Sequence, residues 1–151
     1  SYELTVEAPV DLGLDVLGVP EGSPVELQLR LEAVMDGVLV TGSVSAHVVG
    51  ECVRCLVRIE EDLEADFTEL YFYDDPGEDE LALVGDLLDL EPVLRDAVVL
   101  ALPQNPLCGP NCPGLCPECG VRLADDPGHT HGEAIDPRWS ALTELTERTE
   151  E

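Results

Sequence analysis

The chain has 151 residues, with 33 acidic side chains against 7 arginines, no lysine and a formal net charge of -26. This length suffices for one domain with its own apolar core, and an apolar content of 44% argues against a disordered chain. A protein with so negative a net charge repels phosphate backbones and anionic membranes, and this repulsion disfavours extensive direct binding of nucleic acid. The same charge attracts basic proteins. A composition of this kind is also a proteome-wide bias of salt-adapted or high-GC organisms, so the charge has two explanations.

The sequence contains no candidate membrane span. Its longest apolar run covers residues 97–102, far short of the roughly 18 to 20 residues that cross a bilayer. The N-terminus has no basic flank followed by an apolar stretch, so no secretory or transit peptide is predicted. We therefore expect a cytoplasmic protein.

The first half of the chain predicts an antiparallel sheet. Apolar residues occupy every second position over 25–35, and polar residues lie between them, which is the period of a strand. The Asp-Gly pair at 36–37 predicts a two-residue hairpin turn, followed by a second strand over 38–49. A third alternation over 57–71 completes a meander, and residues 2–6 predict one more strand.

The second half predicts a helix and irregular segments. Residues 74–80 form an acidic loop, and the apolar spacing over 91–102 predicts a short helix, with a proline near its first turn and another just after it. Residues 104–136 are rich in Pro, Gly and Cys and predict a zinc-binding loop after a β-rich body of residues 1–103. The segment 137–151 predicts a short helix, anchored by its tryptophan, and an acidic tail.

Six cysteines occur in three closely spaced pairs, which are Cys52 and Cys55, Cys108 and Cys112, and Cys116 and Cys119. A pair at this spacing can place two thiolates on one ion through a tight backbone turn. The last four can close a tetrahedral centre within one short loop, and metal binding would then supply the energy that orders it. Four thiolates leave no open position for a reactive water, so the sequence predicts a structural zinc ion bound by Cys108, Cys112, Cys116 and Cys119.

The first pair, Cys52 and Cys55, has three alternative roles. It can replace Cys108 and Cys112 as the partner of the last pair, or it can consist of small buried residues at a hairpin end. A redox dithiol is the third alternative, because Arg54 lies between the two thiols and would lower their pKa.

His129 and His131 are further candidate ligands if the metal-binding loop is extended, and are otherwise polar loop residues. Disulfides are disfavoured because nothing marks the chain for secretion. An iron-sulfur cluster also uses four thiolates and is a minor alternative. The expected fold is therefore α+β: an antiparallel β-meander or partly closed barrel with one or two packed helices and a C-terminal four-cysteine zinc loop.

Several segments together carry a family resemblance. The cysteine-rich stretch 106–120 and the motif Cys52-Val53-Arg54-Cys55-Leu56 resemble the markers of the YceD family of bacterial and plastid proteins. The helix at 90–102, the His-Thr-His sequence at 129–131 and the Asp-Pro-Arg-Trp sequence at 136–139 are similar to the actinobacterial members. The resemblance implies a role in the maturation or stability of 23S ribosomal RNA and in assembly of the large subunit.

The negative net charge and the resemblance to a family with a ribosomal role are compatible if the direct partner is a protein and not RNA. We expect a non-enzymatic factor that binds a basic ribosomal protein, or a pre-50S particle, and shields or delivers that protein. RNA contact is then weak or indirect, and no small-molecule substrate is predicted. The alternatives are a thiol oxidoreductase that uses Cys52 and Cys55 and an RNA-processing enzyme, which would need an open metal position or a basic channel.

Overall fold

A computed structural model describes residues 1–73, 77, 81–132 and 138 of the chain. The chain forms two compact units, Ser1–Cys112 (unit 1) and Pro113–Glu151 (unit 2). The predicted body of residues 1–103 lies within unit 1, and its limit stays a prediction. The predicted limits of the zinc-binding loop, 104–136, and of the terminal segment, 137–151, stay a prediction.

Unit 1 contains seven strands and one helix in its described residues. They are β1 (Tyr2–Glu7), β2 (Leu12–Leu14), β3 (Leu17–Val19), β4 (Pro24–Ala33), β5 (Gly37–Glu51), β6 (Arg58–Phe72), β7 (Leu81–Ala82) and α1 (Glu91–Ala101). The strands form one curled sheet in the order β1-β4-β5-β3-β2, with β6 beside β5 and β7 beside β6. All pairings are antiparallel except that of β6 with β7. The α+β class with an antiparallel meander is therefore confirmed.

Strand β5 is the centre of this sheet. It pairs with β6 along its whole length, from Gly37 opposite Phe72 to Glu51 opposite Arg58. Its other edge pairs first with β4 and then, near Gly50, with β3. The β2-β3 hairpin was not predicted, because its strands have three residues each and are too short for a visible alternation.

The turn between β4 and β5 lies one residue earlier than predicted. The Val34 amide donates to the Gly37 carbonyl oxygen at 2.9 Å, which leaves Met35 and Asp36 as the two-residue loop. Gly37 is the first residue of β5, where a Cβ atom would lie 2.0 Å from the Tyr71 carbonyl oxygen. Close approach of the neighbouring strand, and not a left-handed turn, therefore requires glycine here.

One face of the sheet and helix α1 form the core of unit 1. Alternate residues of β4 and β5 point into it, and α1 contributes its buried residues Val93, Leu94 and Val98. Pro92 lies in the first turn of the helix, where a missing amide proton costs nothing. The predicted helix at 91–102 thus forms, packed on the sheet as the sequence indicates.

Two polar contacts fix the helix against the strands. The hydroxyl of Tyr71, which is 1% exposed, donates to the Asp89 carbonyl oxygen at 2.6 Å, just before α1 begins. Burial and the nearby carboxylates of Asp89 and Glu69 raise the pKa of Tyr71 to about 12. From the helix, Arg95 donates to the Asp11 carbonyl oxygen at 2.6 Å beside β2. The core face of the sheet is thereby covered by α1, and within the described residues of unit 1 no helix packs on the opposite face.

Two predicted segments lie outside the described residues. Of the acidic loop at 74–80 only Gly77 is described, and of the C-terminal segment 137–151 only Arg138. Across the described ranges, no helix has both the length and the apolar character that a membrane span requires.

Candidate metal centres

The connection between β5 and β6 is a compact cysteine-bearing turn. The Leu56 amide donates to the Cys52 carbonyl oxygen at 2.9 Å, and the Cys52 amide donates to the Val57 carbonyl oxygen at 2.8 Å. Leu56 has a φ of 58°, in the left-handed region that a branched side chain rarely adopts. Local backbone strain at Leu56 therefore accompanies the turn that brings Cys52 and Cys55 together.

A second turn, in unit 2, has the same backbone hydrogen bonds. The Gly120 amide donates to the Cys116 carbonyl oxygen at 2.9 Å, and the Cys116 amide donates to the Val121 carbonyl oxygen at 2.8 Å. Gly120 has a φ of 74° and occupies the position equivalent to Leu56. Both turns thus fold around a Cys-x-x-Cys pair, and each supplies two sulfur atoms to a separate group.

The first group consists of Cys52, Cys55, Cys108 and Cys112, whose sulfur atoms all lie within 4.8 Å of one another. The Sγ atoms of Cys52 and Cys112 are 3.8 Å apart, and those of Cys55 and Cys108 are 3.6 Å apart. A regular tetrahedron with zinc–sulfur bonds of roughly 2.3 Å has edges of roughly 3.8 Å. These two distances therefore match the edges of a tetrathiolate zinc site, and the remaining sulfur pairs lie within 4.8 Å.

Backbone contacts hold the segment before Cys112 against the first turn. The Val53 amide donates to the Pro106 carbonyl oxygen at 3.0 Å, and the Arg54 guanidinium donates to the Cys112 carbonyl oxygen at 3.1 Å. Cys52, Cys55 and Cys112 are buried and Cys108 is exposed. Arg54, which the redox hypothesis treats as a thiol activator, instead contacts a backbone carbonyl group.

The environment of the first group favours thiolate at some sulfurs and opposes it at others. Burial acts to raise the pKa of Cys52, but backbone hydrogen bonds from Cys108, Arg54 and Cys55 outweigh it and lower the pKa to about 6. Hydrogen bonds with the side chains of Cys112 and Cys55 raise the pKa of Cys108 to about 12. Four thiolates at this separation repel one another, so a bound cation is what would allow all four to ionise.

The second group lies in unit 2 and consists of Cys116, Cys119, His129 and His131, whose ligand atoms also lie within 4.8 Å of one another. The Sγ atom of Cys119 is 3.2 Å from Nε2 of His129 and 3.3 Å from Nε2 of His131. Hydrogen bonds from the Cys119 backbone lower the pKa of Cys116 to about 6 against the effect of burial. Two sulfur and two nitrogen donors therefore converge here.

The structure groups these residues differently from the sequence prediction. The predicted set of Cys108, Cys112, Cys116 and Cys119 is divided, because its first two members join Cys52 and Cys55 while its last two join the histidines. Cys52 and Cys55 lie with Cys108 and Cys112 in unit 1. Sequence spacing identifies pairs of cysteines, but the hairpin end and the long-range backbone contacts decide which pairs meet.

A signal for the observed grouping is present in the sequence. The hexapeptides Cys52–Val57 and Cys116–Val121 share the pattern Cys-x-x-Cys-x-Val, which indicates two equivalent turns. Each turn supplies two donors, so each needs two more. Six cysteines and the two histidines of the His-Thr-His sequence make two complete sets of four.

The left-handed position of the second turn gives a direct test of its geometry. Gly120→Ala is expected to speed hydrogen exchange of the Cys116 amide roughly fivefold, because an alanine in this conformation costs about 1 kcal/mol. No atom lies within 4 Å of the added Cβ, so the effect is conformational. The matched control is Gly128→Ala, which adds a Cβ into equally open space at a glycine without a positive φ. Equal exchange rates in the two variants would contradict this description of the turn.

The fold and these groups together define a class: a curled antiparallel sheet with a cysteine turn at one hairpin end and a second cysteine turn in a separate unit. The chain belongs to the YceD family, whose model, described as "Large ribosomal RNA subunit accumulation protein YceD", matches residues 40–146. The family name associates its members with accumulation of large-subunit ribosomal RNA and does not describe an enzyme. The resemblance found in the sequence is thus confirmed.

Two of the similar proteins come from actinobacteria and one from Bacillus subtilis. An uncharacterized protein of Mycobacterium tuberculosis is 47% identical over 148 residues, which cover 93% of this chain and 71% of the relative. An uncharacterized protein of Mycobacterium leprae is 40% identical over 152 residues, which cover 96% of this chain and 70% of the relative. The Bacillus subtilis protein YlbN is 25% identical over 85% of this chain and 78% of its own. No solved structure matches the chain.

Proposed function

We propose that this protein is a non-enzymatic factor in biogenesis of the large ribosomal subunit, which supports accumulation or processing of 23S ribosomal RNA by binding a basic ribosomal protein in the cytoplasm. The family name supports the pathway. The single observation that carries the choice of partner is a strongly acidic surface on the sheet of unit 1, whose carboxylates are exposed within the described part of the chain.

This acidic face is the side of the sheet that points away from α1. Register aligns its residues in rows: Glu26 of β4 lies opposite Ser45 of β5, which lies opposite Glu64 of β6. The exposed carboxylates that define the face are Glu26, Glu60, Asp62, Glu64 and Asp66. Of the described side chains that contact them, Arg58 neutralises part of Glu60, and His47 lies 2.9 Å from a carboxylate oxygen of Asp62.

The chemistry of this face favours a basic protein over RNA. Adjacent carboxylates repel one another, which raises the electrostatic free energy of the unbound surface. A cationic partner relieves that repulsion on binding. The same face and the net charge of -26 repel a phosphate backbone. Lysine and arginine side chains of a ribosomal protein that has not yet met its RNA are suitable counter-charges.

The four-cysteine group supports a structural role for a zinc ion. The sulfurs of Cys52 and Cys112, and those of Cys55 and Cys108, have the separation of thiolates on one zinc ion. Four such ligands would fill all coordination positions, so no position would remain at which a water could be activated. The ion would join the β5-β6 turn to the segment that follows α1. This is the structural zinc expected from the sequence, with Cys52 and Cys55 as ligands in place of Cys116 and Cys119.

A thiol oxidoreductase is the second candidate, and the lowered pKa of Cys52 is the observation that favours it. Exchange requires a thiolate that a substrate disulfide can reach. Cys52 is 0% exposed and Cys55 is 3% exposed, and each sulfur contacts another cysteine of the group. Burial therefore supports metal binding over thiol exchange.

Depletion in the native host tests the proposed function. When expression is repressed, the ratio of 23S to 16S ribosomal RNA is expected to fall at least twofold, and re-expression of the chain is expected to restore it. The ratio is read from total RNA before growth slows. An unchanged ratio after the protein has disappeared would contradict a role in large-subunit biogenesis.

A further inference from the structure

We propose that unit 2 has its own structural zinc site, separate from the four-cysteine group, with Cys116, Cys119, His129 and His131 as ligands. This inference does not depend on the ribosomal role. It rests on the donor geometry, on the groups that orient the two imidazole rings and on the small apolar content of the described part of the unit.

The two histidines present the same nitrogen to the centre of the group. Their Nε2 atoms are 2.8 Å apart, and their rings meet edge to face with centroids 4.6 Å apart. Both Nε2 atoms also contact the sulfur of Cys119. Two imidazole nitrogens and a thiol at these distances need a shared proton or a shared cation between them.

A carboxylate lies against the other nitrogen of each ring. Nδ1 of His129 is 3.5 Å from an Asp126 carboxylate oxygen, and Nδ1 of His131 is 3.2 Å from a Glu118 carboxylate oxygen. A carboxylate on this side of an imidazole ring favours a proton on Nδ1, which leaves the lone pair of Nε2 free to bind a metal. Both rings therefore have the orientation of zinc ligands, with Nδ1 toward a carboxylate and Nε2 toward the other donors.

Apolar burial does not account for the order of the described range 113–132 of this unit. In the range 113–132, only Gly114 and Cys116 are buried, and the pairing of Leu115 with Arg122 is an isolated bridge. The turn, the bridge and the histidine segment converge on the four donors. Metal binding is the source of folding energy that such a segment lacks otherwise.

The donor set selects the metal and its role. Two thiolates and two imidazoles in a tetrahedral arrangement suit zinc, whereas calcium and magnesium prefer oxygen ligands. All four donors come from the protein, so the tetrahedron has no open position and the ion is structural. Two of these ligands, Cys119 and His131, are exposed, whereas in the four-cysteine group only Cys108 is, so this site is more accessible to chelators.

Cobalt binding to the full chain tests this site. Wild-type protein is expected to bind two cobalt ions, and a His129→Asn, His131→Asn variant is expected to bind one. In a Cys52→Ser, Cys55→Ser variant, the ion that remains should show about half the thiolate charge-transfer absorption of the tetrathiolate centre, because it has two sulfur ligands. His47→Asn, which alters a sheet histidine outside both groups, should leave two ions bound.

X-ray absorption of the wild-type zinc protein gives an answer that needs no variant. Two centres predict an average of three sulfur and one nitrogen donor per zinc, whereas the four-cysteine centre alone gives sulfur donors only. A sulfur-only environment, or a histidine variant that binds as much cobalt as wild type, would overturn the second site. An unchanged ratio of 23S to 16S ribosomal RNA in the depletion experiment would contradict the proposed function and would not affect this result.

Discussion

Replacement of both Cys52 and Cys55 by serine is expected to remove one zinc ion per chain and to speed hydrogen exchange at the β5-β6 turn by about 100-fold. The affected amides are those of residues 52, 53 and 56, which donate to carbonyl groups of the turn and of Pro106. A factor of 100 corresponds to about 2.8 kcal/mol of local opening free energy.

The effect is local because the sheet has its own core. Val40, Val44 and Val48 of β5 are fully buried in the hydrophobic core, which includes none of the cysteines, so they keep the strands paired when the ion is lost. The segment between α1 and Cys112, by contrast, has few buried side chains and relies on the sulfurs and on two hydrogen bonds. We therefore expect the far-ultraviolet circular dichroism of the sheet to change little.

A Cys116→Ser, Cys119→Ser variant is the matched control, since it also removes two thiols from one Cys-x-x-Cys turn. It should lose one zinc ion as well, yet leave hydrogen exchange at residues 52–57 at the wild-type rate. Addition of a chelator to wild-type protein should reproduce the fast exchange of the first variant. An unchanged zinc content after loss of Cys52 and Cys55 would contradict the four-cysteine centre.

Neutralisation of the acidic face is expected to reduce binding of basic large-subunit proteins at least tenfold. The variant combines Glu26→Gln, Asp62→Asn, Glu64→Gln and Asp66→Asn. Exposed ion pairs contribute about 0.2 to 1 kcal/mol each, and four pairs at a middle value of roughly 0.6 kcal/mol exceed the roughly 1.4 kcal/mol of a tenfold loss. The rate of encounter should fall as well. The probe is protein extracted from purified large subunits of the native host, captured at low salt and quantified by mass spectrometry.

A control variant of equal charge separates the face from the net charge. Asp15→Asn, Glu21→Gln, Asp86→Asn and Asp96→Asn also remove four negative charges, at exposed positions that belong to the β2-β3 turn, the following loop and the neighbourhood of α1. This variant should capture nearly as much basic large-subunit protein as the wild-type chain does. Equal losses in both variants would show a general charge effect and contradict a specific docking face.

The main sheet follows from the sequence because its strands are long. Over β4, β5 and β6 the apolar alternation extends for ten residues or more, and one buried face specifies the register. The alternation also continues beyond the core: Met35 fits the apolar face in sequence, yet it is 93% exposed at the hairpin loop. Periodicity therefore predicts which face points inward better than it predicts where burial ends.

The metal groups were predicted only in part because their assembly is long-range. Residues of Cys-x-x-Cys pairs meet through a local turn, which spacing reveals. The contact of Cys52 with Cys112 depends on where the β5-β6 hairpin ends relative to α1, and no local pattern encodes that distance. In sequence, two histidines two residues apart are equally typical of a polar loop, and the carboxylates beside their rings, Asp126 and Glu118, are indistinguishable from the many other acids.

Site-specific photo-crosslinking in the native host tests the central claim most directly. A photoreactive amino acid in place of Ser45 lies between Glu26 and Glu64 in the acidic face, and one in place of Leu100, which is 84% exposed on α1, serves as the control. We expect a basic protein of the large subunit to crosslink from position 45 and not from position 100. Crosslinks from position 45 to RNA alone, or the same products from both positions, would contradict the proposed docking of a basic ribosomal protein.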